Sequence, residues 1–137
     1  MNIHTLPDAI QREREALLSD AVELMQGQGY RDLTVQDLGG YQDPAELLIP
    51  ILNVHMQPDI VATNRDGDDQ LLGLVEVSTD LGEELCGRRW QAFDSWAKSH
   101  HGMMRVFVHP EDLARAEEIA RLWHMQPDFL ISLERKH

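Results

Sequence analysis

The sequence has little cysteine and little lysine: Cys86 is its one cysteine, and Lys98 and Lys136 are its two lysines. A single cysteine excludes an intrachain disulfide framework and fits a reducing compartment. No apolar run approaches the roughly 20 residues that a membrane-spanning helix needs, so we expect no membrane partner. The N-terminal residues have neither the basic region nor the apolar region of a secretory signal. We therefore expect a cytoplasmic protein.

Positive charge is scarce as well. The chain has 12 Lys and Arg against 24 Asp and Glu, which gives a net charge of −12. A surface of this sign repels nucleic acid and anionic membranes, so a nucleic-acid partner is disfavoured without being excluded. A basic protein partner, or a homodimer, fits this composition better. Hydrophobic residues make up 42% of 137 residues, and we predict one domain with a core over residues 1–137.

Hydrophobic periodicity predicts an α/β domain. The predicted helices cover Asp8 to about Gln26, Glu83 to about His100, and a segment that begins at Pro110. The predicted strands are Tyr30–Val35, Leu47–Val54 with an interruption at Pro50, Pro58–Asn64, Leu71–Thr79, Met103–His109 and Phe129–Arg135. The order, roughly α-β-β-β-α-β-α-β, is typical of a central mixed sheet covered by helices on both faces.

The second predicted helix has a continuous apolar face. Its members at helical spacing are Leu85, Cys86, Phe93, Trp96 and Ala97. Cys86 has no neighbour in the sequence that would activate it as a nucleophile, so we expect it to pack in the core.

Two acidic residues are predicted to meet on a β-hairpin. The Asp66-Gly67 turn favours antiparallel pairing of the strands on either side. A four-residue loop places Asp59 directly opposite Glu76, and a two-residue loop places the two diagonally on the same face. A three- or five-residue loop separates them.

Two carboxylates held close together repel each other and favour a divalent cation. Mg²⁺ prefers one or two carboxylates together with water and a phosphate group. The alternative is structural: Asp59 caps a strand and Glu76 lies at a solvated end of the sheet. Against that alternative, Glu76 interrupts a strand whose other residues are almost all apolar, as a buried strand requires.

The pattern of Pro58-Asp59 followed by Glu76-Val77-Ser78 resembles the PD-(D/E)XK nuclease superfamily, which has the restriction-endonuclease-like fold. The motif is short, and the resemblance depends on the motif and the order of elements together, over about Asp8 to Arg135. It implies a magnesium-dependent nuclease in which Asp59 and Glu76 bind the metal ion. Hydrolysis would then proceed by attack of an activated water on a phosphodiester.

The chain departs from that pattern at the motif lysine, because Ser78 stands there. A serine hydroxyl has no charge with which to stabilise a hydroxide or a developing phosphorane. Some members of the superfamily place a lysine or a glutamine on the following helix. The resemblance therefore implies that Gln91, Lys98 or Arg88 replaces the lysine. The alternative is that these residues, with Ser95, form an ordinary solvated face of the helix.

Several further residues are weaker candidates. Glu15 on the first helix and His55 before the motif strand are possible additional ligands. Arg12 and Arg14 alternate with glutamates and are expected to pair with them on the helix surface. The pair Arg88-Arg89 fits a phosphate, a carboxylate of a partner, or a neighbouring glutamate.

Three functions are consistent with these observations. The first is a magnesium-dependent nuclease. The second is a catalytically inactive domain of the same fold that acts as a binding or regulatory module. The third is an interaction subunit, which requires an exposed apolar patch larger than a few hundred Å².

Overall fold

A computed structural model describes residues 5–49, 52–64, 66–67 and 69–135. Within these ranges there are three α-helices: α1 (Thr5–Gly27), α2 (Glu83–Ser99) and α3 (Leu113–Leu122). The strands are β1 (Arg31–Val35), β2 (Leu47–Ile49), β3 (Val54–Met56), β4 (Ile60–Thr63), β5 (Gln70–Val75), β6 (Met103–Val108) and β7 (Leu130–Ser132). Single 3-10 turns lie at Ser78–Asp80, Pro110–Asp112 and Pro127–Phe129. The predicted α/β class is confirmed, and none of the described helices is long and apolar enough to cross a membrane.

Five strands form one mixed sheet in the order β1-β4-β5-β6-β7. The pairs β1–β4 and β4–β5 are antiparallel, and the pairs β5–β6 and β6–β7 are parallel. Helices α2 and α3 make the two parallel crossovers, as such connections require. Strand β5 is central, and the five residues from Leu71 to Val75 are all buried.

The core has two parts because successive side chains of a strand point to opposite faces. Leu72 and Leu74 pack with α2 and α3 on one face, around Trp90. Leu71 and Val75 pack with α1 on the other face. Both faces of the sheet are therefore covered, which explains why a near-continuous apolar run forms β5.

The prediction of one strand over Leu47–Val54, interrupted at Pro50, is wrong in that the segment belongs to two strands. The segment contains β2 and the start of β3, which pair with each other in a separate two-stranded sheet. Asn53 adopts a left-handed conformation, with φ of 52°, and its backbone N–H donates to Ile49 O at 2.7 Å. Asparagine tolerates this conformation, so the chain reverses there. Pro50, the predicted interruption, lies outside the described residues.

The β4–β5 hairpin has the register of a two-residue loop. Ile60 lies opposite Gly73, and Thr63 lies opposite Gln70. Gly67 has a positive φ of 77°, as expected in a tight turn. Asp59 precedes β4 directly and Glu76 follows β5 directly, so the hairpin brings both acids to the same end of the sheet.

Strands β5 and β7 are shorter than predicted. Strand β5 ends at Val75 and not at Thr79. The backbone N–H of Glu76 still donates to Phe107 O at 3.0 Å, after which the chain enters the 3-10 turn that begins at Ser78. Strand β7 covers only Leu130–Ser132 of the predicted Phe129–Arg135.

Candidate functional site

Asp59 is buried and accepts hydrogen bonds at both carboxylate oxygens. Arg14 Nη2 of α1 donates to Oδ1 at 2.5 Å. Arg89 Nη2 of α2 donates to Oδ2 at 3.0 Å, and the backbone N–H of Val75 donates to the same oxygen at 2.9 Å. Only 1% of the Asp59 side chain is exposed, so these bonds lie in a poorly solvated environment where charge-assisted hydrogen bonds are strong.

Arg14 connects α1 to the end of the sheet. Its Nη1 donates to Val75 O at 3.0 Å and lies 3.6 Å from Asp80 Oδ2. The sequence predicts that Arg14 pairs with glutamates on the helix surface. The structure shows instead that it binds an aspartate 45 residues away in the chain.

Glu76 is buried beside Asp59 but is less well bonded. Cys86 Sγ lies 3.5 Å from Glu76 Oε2 and 3.1 Å from Asp80 O, so its one S–H proton has two competing acceptors. The other oxygen, Oε1, lies 3.8 Å from Arg89 Nε, too far for a hydrogen bond. Both atoms are buried, and neither has a hydrogen-bond partner in the part of the chain that the structure describes.

Burial sets the protonation of Glu76 and Cys86. It raises the pKa of Glu76 to about 7, the nearby Arg89 opposes that shift, and the negative charge of Asp59 adds to it. Burial, with the adjacent Glu76, also raises the pKa of Cys86 to about 12. The thiol of Cys86 is therefore protonated at neutral pH and acts as a donor, which supports its expected place in the core rather than a role as a nucleophile.

The ion pairs form one network of alternating charges: Asp80, Arg14, Asp59, Arg89 and Glu76. The network contains three carboxyl groups and two guanidinium groups. With Glu76 protonated these five side chains have no net charge, and with Glu76 ionised they have one uncompensated negative charge. The network joins α1, the sheet and α2 at the end of the sheet that carries the acidic motif.

The arrangement does not fit a resident Mg²⁺ ion. Both oxygens of Asp59 are occupied by cationic donors, and a metal ion there would lie beside the guanidinium groups of Arg14 and Arg89. Within residues 5–49, 52–64, 66–67 and 69–135, no group of three His, Cys, Asp or Glu side chains could hold a metal ion.

The structure places the side chains of Gln91 and Lys98 away from Asp59 and Glu76. Gln91 Nε2 donates to Trp123 O at 3.2 Å, and Lys98 Nζ pairs with Asp94 at 2.9 Å. Both side chains line a different cavity, of about 580 Å³, which the start of β6 also borders. The side chain of Lys98 is 77% exposed, which agrees with the alternative that these residues form a solvated face of the helix.

Ser78, at the position of the motif lysine, has a structural partner. Its hydroxyl is 2.7 Å from Asp112 Oδ1 and 2.8 Å from Oδ2 and donates to that buried carboxylate. The bond connects the turn after β5 to the turn that leads into α3.

The remaining candidates are exposed. Arg88 pairs with Glu84 one turn away at 2.6 Å, which is one of the alternatives that the sequence left open. Glu15 accepts a hydrogen bond from Gln11 on the surface of α1. His55 lies exposed in β3.

A cleft of about 740 Å³ opens beside Glu76. Its charged lining includes Arg14, Arg88, Arg89 and Asp80, and its apolar lining includes Ile10, Leu52, Met56 and Leu85. Leu85, which was predicted to share the apolar face of α2, is 78% exposed. The buried face of α2 includes Cys86, Trp90, Phe93, Trp96 and Ala97, and Leu85 lies at the flank of the helix that borders the cleft.

Comparison of the chain with protein-family models, with curated proteins and with solved structures gives no match. The function is therefore inferred from the geometry of the site and its own residues.

Proposed function

We propose that the chain is a domain of the PD-(D/E)XK type in which arginines take the place of the metal ion, and that it acts as a binding or regulatory module. The observation that carries this proposal is the pairing of both Asp59 oxygens with Arg14 and Arg89. The negative charge of this carboxylate is already paired with two guanidinium groups, so we expect it to bind a metal cation only weakly.

The proposed fold type is supported by the order of elements around the acidic motif. An antiparallel hairpin, β4–β5, is followed by α2 and by the parallel strand β6. Asp59 and Glu76 lie at the end of that hairpin where the motif of the superfamily places its acids. The motif lysine is absent, and its substitute, Ser78, is engaged with Asp112.

Charge supports a binding role over nucleic-acid cleavage. A net charge of −12 repels a polyphosphate, and a single domain that contacts phosphates needs several basic groups on one face. We further propose a basic protein or a second copy of the chain as the partner, and a cytoplasmic location that the single cysteine favours.

A magnesium-dependent nuclease is the second candidate function. It is favoured by the position of Asp59 and Glu76 at the same end of the hairpin, and by the oxygen Glu76 Oε1, which lacks a hydrogen-bond partner in the described residues. For this function Arg14 and Arg89 would have to release Asp59. A lysine or glutamine would also have to reach the site from α2.

Calorimetric titration with Mg²⁺ and Mn²⁺ separates the two candidates. The samples are the wild type, Asp59→Asn and the control Asp94→Asn, which removes a partly exposed carboxylate on α2. Circular dichroism first establishes that each variant is folded at the temperature used. We expect no saturable binding at millimolar metal in any sample. Saturable binding in the wild type and Asp94→Asn that is lost in Asp59→Asn would overturn the proposal and favour the nuclease, which assays on labelled DNA and RNA would then test.

A further inference from the structure

The cleft beside Glu76 has a group of arginines in its lining. Three of the 12 Lys and Arg residues line it. The side chains of Arg14 and Arg89 are 25% and 28% exposed, and that of Arg88 is 68% exposed. Glu76 is 3% exposed, whereas Asp80, which also lines the cleft, is 39% exposed. A ligand here meets guanidinium groups that already have carboxylate partners, and the exposed pair of Arg88 with Glu84 is of the weak surface kind that can rearrange.

Apolar side chains line the cleft as well. Leu85 of α2 and Leu52, between β2 and β3, are 78% and 55% exposed. Ile10 and Met56 also line it. An exposed leucine is ordinary by itself, but Leu85 lies one helical turn from Arg88 and Arg89, so that an apolar surface and guanidinium groups are adjacent in one site.

The base of the cleft contains a buried polar group without a partner. Oε1 of Glu76 and Nε of Arg89 have no hydrogen-bond partner in the described part of the chain. Such groups are rare in folded proteins and occur frequently at functional sites. A small rotation of either side chain would present a donor to a ligand, since Arg89 Nε–H donates and a protonated Glu76 donates as well.

We propose that this cleft binds an amphiphilic oxyanion, meaning a carboxylate or phosphate monoester on an aliphatic body. The oxyanion lies against Arg88, Arg89 and Glu76, and the aliphatic body lies against Leu52 and Leu85. The volume of about 740 Å³ is within the usual range of small-molecule sites, roughly 300–1,000 Å³. This inference depends on the proposed function in that Arg14 and Arg89 must remain at Asp59 rather than give way to a metal ion.

We test the headgroup and the aliphatic body of the ligand separately by titrating the full chain with four probes. Binding is monitored by NMR and calorimetry. Octanoate and octyl phosphate carry the two headgroups, octylammonium reverses the charge, and inorganic phosphate lacks the body. We expect octanoate and octyl phosphate to bind saturably with one site. The tighter of the two identifies the headgroup. We expect octylammonium and inorganic phosphate to bind more weakly by roughly tenfold or more.

Two exposed residues of the cleft can be changed without disturbing the buried ion pairs. Arg88→Gln removes a cationic group, and Leu85→Glu replaces an apolar lining residue by a negative charge. The matched controls are Arg121→Gln, which breaks a surface pair of the same spacing, and Leu122→Glu, which alters another exposed leucine. We expect the cleft variants to weaken octanoate binding by roughly tenfold or more, and the controls to leave it unchanged.

Three outcomes overturn the inference. They are an absence of binding at millimolar octanoate and octyl phosphate, equal binding of octylammonium, and an equal effect of the cleft variants and their controls. Magnesium titration of the same wild-type sample is scored separately. Octanoate can therefore fail to bind while the metal result still supports the binding module, and a bound metal ion would refute the module whatever octanoate does.

Discussion

Glu76 Oε1 lies 3.8 Å from Arg89 Nε, and in the described part of the chain the two buried atoms have no hydrogen-bond partner. Arg89 uses another nitrogen, Nη2, for Asp59 at 3.0 Å. The guanidinium group of Arg89 therefore lies near the carboxyl groups of both Asp59 and Glu76 but donates a hydrogen bond only to Asp59. The imperfect compensation of Glu76 has consequences for stability.

The protonation of Glu76 makes stability depend on pH. Burial raises its pKa from 4.5 to about 7 in the folded chain. The unfolded chain therefore loses this proton first, so the contribution of Glu76 to stability falls as pH rises from about 4.5 to about 7 and is constant above that. Glu76→Gln removes the titration, and we expect it to gain on the order of 2–3 kcal/mol relative to the wild type between pH 5 and pH 8.

Urea denaturation of both proteins at the two pH values measures this difference. Glu118→Gln, which changes an exposed glutamate on α3, is the control and should show the pH dependence of the wild type. If Glu76→Gln keeps that dependence as well, Glu76 does not titrate in this range in the folded chain.

Removing the charge of Asp59 leaves two guanidinium groups without their shared partner. We expect Asp59→Asn to lose about 3–5 kcal/mol of unfolding free energy, as when one partner of a buried pair is deleted. Asp94→Asn breaks a surface pair with Lys98 and should lose about 0.5 kcal/mol or less. Chemical denaturation at pH 7 measures both. Equal losses would show that Arg14 and Arg89 find other partners at no cost.

The hydroxyl of Ser78 satisfies a buried carboxylate. Without it Asp112 loses the donor at 2.7 Å and 2.8 Å. We expect Ser78→Ala to destabilise the chain by about 1–2 kcal/mol. Ser95→Ala, on the exposed face of α2, should be neutral or slightly stabilising, because alanine favours a helix. Thermal unfolding of the two variants compares them, and a neutral Ser78→Ala would mean that Asp112 is satisfied by solvent.

Gly87 is required by the contact between α2 and Trp123, which follows α3. A Cβ atom at this position would lie 2.1 Å from Trp123 Cε2 and Nε1. The indole ring would have to move, and we expect Gly87→Ala to lose about 1–3 kcal/mol with a change in tryptophan fluorescence. At Gly27 a Cβ atom would meet nothing within 4 Å. Gly27→Ala is thus the control, and an equally small effect at both positions would contradict the close contact.

Much of the fold was predictable because the patterns that specify it are local. Helical spacing predicts the three helices, and the Asp66-Gly67 turn predicts the hairpin. The register of that hairpin, that of a two-residue loop, is one of those that the sequence left open, and it brings Asp59 and Glu76 to one end of the sheet. The reversal at Asn53 was missed because apolar residues on either side of it are equally compatible with one strand that is interrupted only at Pro50.

By itself, the sequence determined the α/β class, the hairpin and the acidic pair at its end, because periodicity and turn chemistry act over a few residues. Only the tertiary structure decided what Asp59 binds. Its partners Arg14 and Arg89 are 45 and 30 residues away. They meet it because α1 and α2 pack on opposite faces of the sheet and reach the same end. The spacing of residues along the chain does not predict these contacts, because they depend on how the helices pack against the sheet.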